Sequence, residues 1–118
     1  MKVYENYINT LRSNANEQSE LRFAANQLLE MHAEASKRST PIIVELGVDK
    51  GQSTRVFLNA ISEKKNSRLI SIDIRDCKDA VKSEKWEFVK QNSIDIESLL
   101  NKKPIIKKGI DILYVDSL

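Results

Sequence analysis

Cysteine, glycine and proline are all scarce in this sequence. Its 118 residues include one cysteine, three glycines and two prolines. A single cysteine, Cys77, excludes an internal disulfide framework and fits a reducing compartment. No signature of a catalytic cysteine surrounds it, so we expect an unreactive thiol. The one histidine, His32, recurs with apolar residues at helical spacing. It is therefore expected to be a packed or half-exposed side chain, with a catalytic base as the alternative.

An excess of charge and long apolar runs are missing as well. Nineteen basic residues face seventeen acidic ones, and a net charge of +2 does not indicate a nucleic-acid partner. No stretch has the length of a membrane span, and the N-terminus has no apolar signal segment. We therefore expect a cytoplasmic protein that binds neither nucleic acid nor membrane. The densest basic cluster is predicted to be a solvated loop around Pro104 and consists of Lys102, Lys103, Lys107 and Lys108.

The hydrophobic pattern changes at Pro41. Before it, apolar residues at helical spacing predict two helices, the second over residues 17–36. After it, short runs rich in Ile, Val and aromatic residues predict strands at 42–46, 69–74, 86–89 and 110–115. Helical segments are predicted between the strands at 53–64, 76–85 and 94–101. This alternation predicts an α/β fold with a parallel sheet, in which residues 1–40 form a helical segment and 41–118 the sheet domain.

Two of the three glycines lie where the first predicted strand turns into a helix. Glu45 ends the strand, Gly47 and Gly51 follow it, and Ser53 opens the helix. Glycine permits close approach to the main chain, and the N–H groups at a helix start face an incoming polar ligand. A P-loop would need Lys directly after Gly51, and this sequence has none there, which excludes that interpretation. A dinucleotide site would need the spacing G-x-G-x-x-G, whereas the spacing here is G-x-x-x-G. A glycine-bearing connection without any ligand is the remaining alternative.

A second landmark is Asp73, which ends the next predicted strand. It follows Gly51 at close to the interval of about 20 residues at which an acid binds a ribose in such folds. A carboxylate can accept hydrogen bonds from two neighbouring hydroxyl groups at once. Asp76 is the competing candidate, but Asp73 continues the strand and is favoured.

The pattern E-x-G-x-x-x-G-x-S resembles motif I of class I S-adenosylmethionine-dependent methyltransferases, particularly the cephalosporin-hydroxylase-like and macrocin-type O-methyltransferases. The resemblance covers about residues 41–118 and implies a Rossmann-like three-layer sandwich with the partial sheet order 3-2-1-4. It implies that Glu45 holds the ammonium of the cofactor's methionine part, often through water. Gly47 and Gly51 would let the cofactor approach, and Asp73 would bind its ribose. Ser53 would cap the helix, the favoured role, or bond the methionine carboxylate.

Two further stretches match the family more weakly. Residues 86–93 resemble the third strand and its exit loop, so the resemblance implies that Asn92 or Ser93 bonds the adenine. Residues 110–116 resemble motif IV, where the fourth strand ends in an acid. In metal-dependent members that acid ligates Mg²⁺, which makes Asp116 a candidate metal ligand.

The implied activity is methyl transfer from S-adenosylmethionine to an oxygen of a small molecule or sugar. The family's sheet has seven strands, and Leu118 lies just after the fourth. We therefore expect that later strands are missing, or that another chain, such as a second copy, covers the apolar edge of the fourth strand. Whether these 118 residues are active alone is in question. The alternatives are a non-catalytic Rossmann-like binding module or remnant and, third, an NAD-linked oxidoreductase.

Overall fold

Four parallel strands form the centre of the protein. The computed structural model describes residues 2–16, 20–92 and 95–116. Within them the strands lie in the order β3-β2-β1-β4, and the register sets Glu45 beside both Ser71 and Tyr114. The predicted α/β class and the order 3-2-1-4 are therefore confirmed. The strand bounds are β1 Ile42–Leu46, β2 Arg68–Asp73, β3 Trp86–Lys90 and β4 Ile112–Val115.

Three helices cover one face of the sheet. They are α1 Glu5–Ala15, α2 Leu21–Ser36 and α3 Gln52–Ile61. Phe57 of α3 packs with Ile43 and Leu69 of the strands in one buried cluster, and α1 and α2 pack against α3. The predicted start of α2 at residue 17 lies outside the described residues, and α3 ends three residues earlier than the predicted 64.

The opposite face is covered by α4, Ile96–Lys102, and a 3-10 helix, Pro104–Lys108. Leu99 and Ile106 from these elements pack with Val44 and Ile70 of the sheet. Because neighbouring residues of a strand point to opposite faces, Ile43 and Val44 serve the two different layers. The predicted three-layer sandwich is confirmed.

The segment 76–85 is not the short helix predicted from the sequence. It is an irregular connection that contains turns. Asp76 Oδ1 accepts a hydrogen bond from the Lys78 N–H at 3.2 Å, and Ser83 Oγ accepts one from the Lys85 N–H at 3.1 Å. Such local side-chain bonds compete with the helical pattern of backbone bonds. Val81 is buried instead against the connection between β1 and α3.

The basic cluster around Pro104 is also more ordered than the predicted loop. Pro104 begins the 3-10 helix, a position that needs no backbone N–H. The ammonium of Lys103 lies 2.9 Å from a carboxylate oxygen of Glu87, and that of Lys102 donates to Gln91. Lys107 and Lys108 are exposed, as the predicted solvated loop requires.

A polar network holds the N-terminal helices against α3. Asn59 is 1% exposed, and its amide nitrogen donates to the Val3 carbonyl at 2.8 Å and to Glu5 at 3.0 Å. The amide oxygen of Asn59 is therefore left to accept from Nε2 of His32, which lies 2.7 Å away. His32 is a half-buried side chain that joins α2 to α3, as expected for a packed histidine.

The free edge of β4 carries exposed apolar residues. Leu113 is 57% and Val115 58% exposed, and Ile110 just before the strand is exposed as well. The predicted apolar edge is present, although β4 begins at Ile112 rather than at 110. Among the described residues no helix is long and apolar enough to cross a membrane. The division into segments at residue 40 stays a prediction.

The packing of α3 on the sheet can be tested with a matched pair of phenylalanines. Phe57 is 1% exposed and meets the ring of Tyr114 edge-on at 5.9 Å, whereas Phe23 is 72% exposed. Phe57→Ala should lower the free energy of unfolding by about 3–5 kcal/mol, because it empties a packed site. Phe23→Ala should change it by no more than about 0.5 kcal/mol. Urea unfolding followed by circular dichroism measures both, and equal losses would contradict this packing.

Candidate functional site

A small cavity lies at the carboxyl ends of β1 and β4. It has a volume of about 210 Å³ and is lined by the loop after β1, the first turn of α3 and the end of β4. The crossovers beside β1 cover opposite faces of the sheet, α3 one face and α4 the other, and in open α/β folds ligands bind at the carboxyl ends of the strands at such a point. The lining residues are Leu28, Val48, Asp49, Lys50, Gln52, Ser53, Tyr114 and Asp116.

The loop that forms one wall of this cavity has an unusual backbone. Gly47, Asp49 and Gly51 all have positive φ angles, of 99°, 51° and 83°. The Gly47 N–H donates to the Ile72 carbonyl at 2.7 Å, which continues the pairing of β1 with β2. The positive φ favours glycine at position 51, and an added Cβ atom would also lie tightly against Val81 Cγ1, at 3.1 Å. The two glycines thus shape the turn that the sequence pattern predicted.

Glu45 is fully buried and bonds to Ser53, which lines the cavity. Its carboxylate accepts hydrogen bonds from three hydroxyl groups of this chain: Ser53, Thr54 at 2.6 Å and Ser71 at 2.8 Å. The cost of burying an acid is therefore offset by donors from α3 and β2. The ammonium contact implied for Glu45 stays a prediction, and Ser53 is the one of these three residues that also lines the cavity.

Burial raises the pKa of Glu45 above its ordinary value of 4.5. The hydrogen bonds from Ser53, Thr54 and Ser71 act in the opposite direction, because they stabilise the charged form. The negative charge of Asp116 adds a smaller upward effect. The hydroxyl of Ser71 also accepts from the indole N–H of Trp86 at 2.8 Å, so the network extends to β3.

Asp73 ends β2 and bonds to the loop after β1. Its Oδ2 accepts from the backbone N–H groups of Val48 at 2.9 Å and Asp49 at 3.4 Å, and its Oδ1 accepts from that of Arg75 at 2.9 Å. These bonds, together with the charge of Arg75, lower the pKa of Asp73 although partial burial opposes them. Asp73 is therefore charged and holds the loop in place, and its contact with a ribose stays a prediction. Asp76 caps its own turn instead.

Ser53 does not cap α3, so the favoured role predicted for it is wrong. The N-cap residue is Gly51, with no side-chain hydrogen bond to the first turn. The hydroxyl of Ser53 donates to Glu45 instead. The N–H groups at the start of α3 therefore have no side-chain cap, and Gln52 and Ser53 both line the cavity. The partial positive charge of this helix end suits an anionic group.

The remaining residues with a predicted role or property are Asn92, Ser93, Asp116 and Cys77. Ser93 lies outside the described residues, and Asn92 is exposed just after β3. Asp116 lines the cavity, but no group of three or more metal-binding side chains occurs among residues 2–16, 20–92 and 95–116. The Mg²⁺ role of Asp116 therefore has no support. Burial and the charge of Asp73 raise the pKa of the Cys77 thiol, which agrees with an unreactive cysteine.

Sequence reasoning missed Thr54, Ser71, Arg75 and Tyr114. A signal for Ser71 was present, because parallel pairing of the two predicted strands sets it beside Glu45. Thr54 follows Ser53 on the first turn of α3, where both hydroxyls reach back to the end of β1. Nothing in the spacing indicated that Tyr114 and α2 meet the same cavity, since that contact joins distant parts of the chain.

Comparison with known proteins gives one family. A family model described as a methyltransferase domain matches residues 44–118, which include β1, the glycine loop, Asp73 and β4. No curated protein matches the chain significantly. The matched region contains every element that forms the cavity except α2.

The buried carboxyl group of Glu45 predicts a specific dependence of stability on pH. Because its pKa is raised in the folded protein, the folded state keeps the proton to higher pH than the unfolded state does. Its contribution is therefore fully present below about pH 4.5 and is lost as the pH rises through the folded pKa. As the pH rises across that window, the free energy of unfolding of the wild type should fall relative to that of Glu45→Gln.

Urea unfolding between pH 4 and pH 8 measures the difference between the two proteins. Glu84→Gln, the same change at an exposed glutamate, is the control for effects of the substitution itself. A wild-type minus Glu45→Gln difference that is constant or grows with pH would contradict the assignment.

Proposed function

This chain belongs to the methyltransferase-domain family, and we propose that it binds S-adenosylmethionine at the carboxyl edge of β1, β2 and β4. We further propose that the methyl group passes to an oxygen of a small molecule or sugar, which rests on the resemblance of motif I. The observation that carries the proposal is the cavity formed by the glycine loop, the uncapped start of α3 and Asp116.

The charges around the cavity fit the amino-acid end of the cofactor. The N–H groups at the start of α3, with Lys50 beside them, suit a carboxylate. Asp49 and Asp116 on the same lining suit an ammonium group. A cavity that joins both signs of charge over about 210 Å³ matches a zwitterionic group better than a phosphate.

The nucleoside end would extend past Asp73. Asp73 is 8% exposed and lies beside the loop, where its Oδ1 accepts the backbone N–H of Arg75. Hydroxyl groups of a ribose would donate to that oxygen as well. The adenine would then lie toward the exit of β3, where Asn92 and Ser93 follow Lys90.

Glu45 would act on the cofactor through Ser53 rather than by direct contact. The Ser53 hydroxyl donates to Glu45, so its oxygen lone pairs face outward as acceptors for an ammonium or a water molecule. The cofactor, when bound, supplies an electrophilic methyl group. The chain's own contribution is to hold that group in line with a nucleophile, and this positioning accounts for much of the catalysis in such a reaction.

Binding of S-adenosylhomocysteine tests the proposal, because this compound is what remains of the cofactor after methyl transfer and it lacks the reactive methyl group. We expect saturable binding to the wild type, and a loss of about tenfold or more with Asp73→Asn, since a hydrogen bond to a charged group contributes about 1.5–3 kcal/mol. Asp76→Asn is the matched control, because Asp76 lies in the same connection, where it accepts from the Lys78 N–H and pairs with the Lys78 ammonium. Isothermal titration calorimetry measures all three affinities.

Several results would contradict the proposal. They include no binding by the folded wild type, an equal loss in both variants, or preferential binding of NAD in a parallel titration. Binding without methyl transfer to any oxygen acceptor would favour the non-catalytic binding module instead.

A further inference from the structure

Arg75 lies between two acidic residues at the carboxyl edge of the sheet. Its guanidinium lies 3.7 Å from Oδ1 of Asp73 and 3.6 Å from Oδ1 of Asp49. Asp73 belongs to β2, whereas Asp49 belongs to the loop after β1. The side chain of Arg75 therefore spans the gap between the two connections that a ligand over this edge would have to cross.

The bridge lies on the solvent side of Asp73. The side chain of Arg75 is 68% exposed, while that of Asp73 is only 7% exposed. The other oxygen of Asp73 is already taken by the N–H groups of Val48 and Asp49. The guanidinium thus lies on the side of Oδ1, the oxygen that accepts the backbone N–H of Arg75.

Ion pairs of this kind are weak. Neither distance is that of a short, charge-assisted hydrogen bond, and both Arg75 and Asp49 are well exposed. A bridge with these properties can be displaced by a ligand that offers hydroxyl donors to the same oxygen. The backbone N–H of Arg75 also bonds Oδ1, and this contact does not depend on the side chain.

We propose that Arg75 is a displaceable competitor of the ribose, which occupies Asp73 Oδ1 in the unliganded protein and must leave before a nucleoside diol binds there. This inference rests on the proposed function. It makes Arg75 a specificity-determining residue: a ligand with two free ribose hydroxyls displaces it, and one without them leaves the bridge intact.

An opposite role for Arg75 would give the opposite preference. An arginine beside a ribose-binding acid can also read a 2′-phosphate. Arg75 lies at Oδ1 of Asp73, the oxygen that a ribose diol would use. An arginine cannot hold a phosphate where the carboxylate binds a diol, so this position favours competition between Arg75 and the ribose. Titrations with adenosine and with adenosine 2′-monophosphate separate the two roles.

The test compares S-adenosylhomocysteine binding by wild type, Arg75→Ala and Lys78→Ala. This ligand has no net charge, so the loss of a positive side chain does not by itself attract it. Lys78 is the matched control, because it is 67% exposed in the same connection and pairs with Asp76 rather than Asp73. We expect Arg75→Ala to bind about two- to fivefold more tightly than wild type, and Lys78→Ala to bind like wild type.

Salt gives a second readout. Raising NaCl from about 20 to about 500 mM screens exposed ion pairs, so the difference in affinity between Arg75→Ala and the wild type should shrink. Weaker or unchanged binding by Arg75→Ala, equal tightening by Lys78→Ala, or tighter binding of adenosine 2′-monophosphate than adenosine would overturn the inference. Failure of the wild type to bind S-adenosylhomocysteine would instead contradict the proposed function.

Discussion

The carboxylate of Glu45 is the interaction on which the rest of the structure depends. It sits fully buried at the end of the central strand β1, where Ser53 and Thr54 of α3 and Ser71 of β2 donate to it. Through Ser71 it also reaches Trp86 of β3. One acidic group thus fixes three strands and the helix whose N-terminus lines the cavity. A buried charge without such donors would cost on the order of several kcal/mol.

Asp73 extends this arrangement to the loop. Because its carboxylate bonds the N–H groups of Val48 and Asp49, the glycine turn is held from β2 as well as from β1. The loop and the first turn of α3 line the cavity and are fixed by buried hydrogen bonds, whereas the pairing of Arg75 with Asp49 beside the loop is exposed. A site built in this way can keep its shape before a ligand arrives and exchange only its weakest contacts.

The fold was predictable from the sequence to a large extent, because short Ile- and Val-rich runs and a helical period depend on local pattern. The strand order and the three layers were implied by the resemblance to the methyltransferase family, and the place of the glycine turn by the spacing of Gly47 and Gly51. The segment 76–85 was not predictable, since Asp76 and Ser83 bond their own backbone and Val81 is buried by distant residues. At the site, Glu45, Gly47, Gly51 and Asp73 were found from spacing. The donors to Glu45 and the bridge of Arg75 required the register of the sheet and the positions of side chains.

The most direct measurement is nuclear magnetic resonance mapping of S-adenosylhomocysteine on the isotope-labelled chain. We expect the amide signals of residues 47–53, 73–75 and 114–116 to shift as the ligand is added. Signals at the opposite edge of the sheet, such as those of Lys82 to Lys85, should remain in place. Shifts confined to that opposite edge, or to residues 24–34 of α2, would contradict the location of the site.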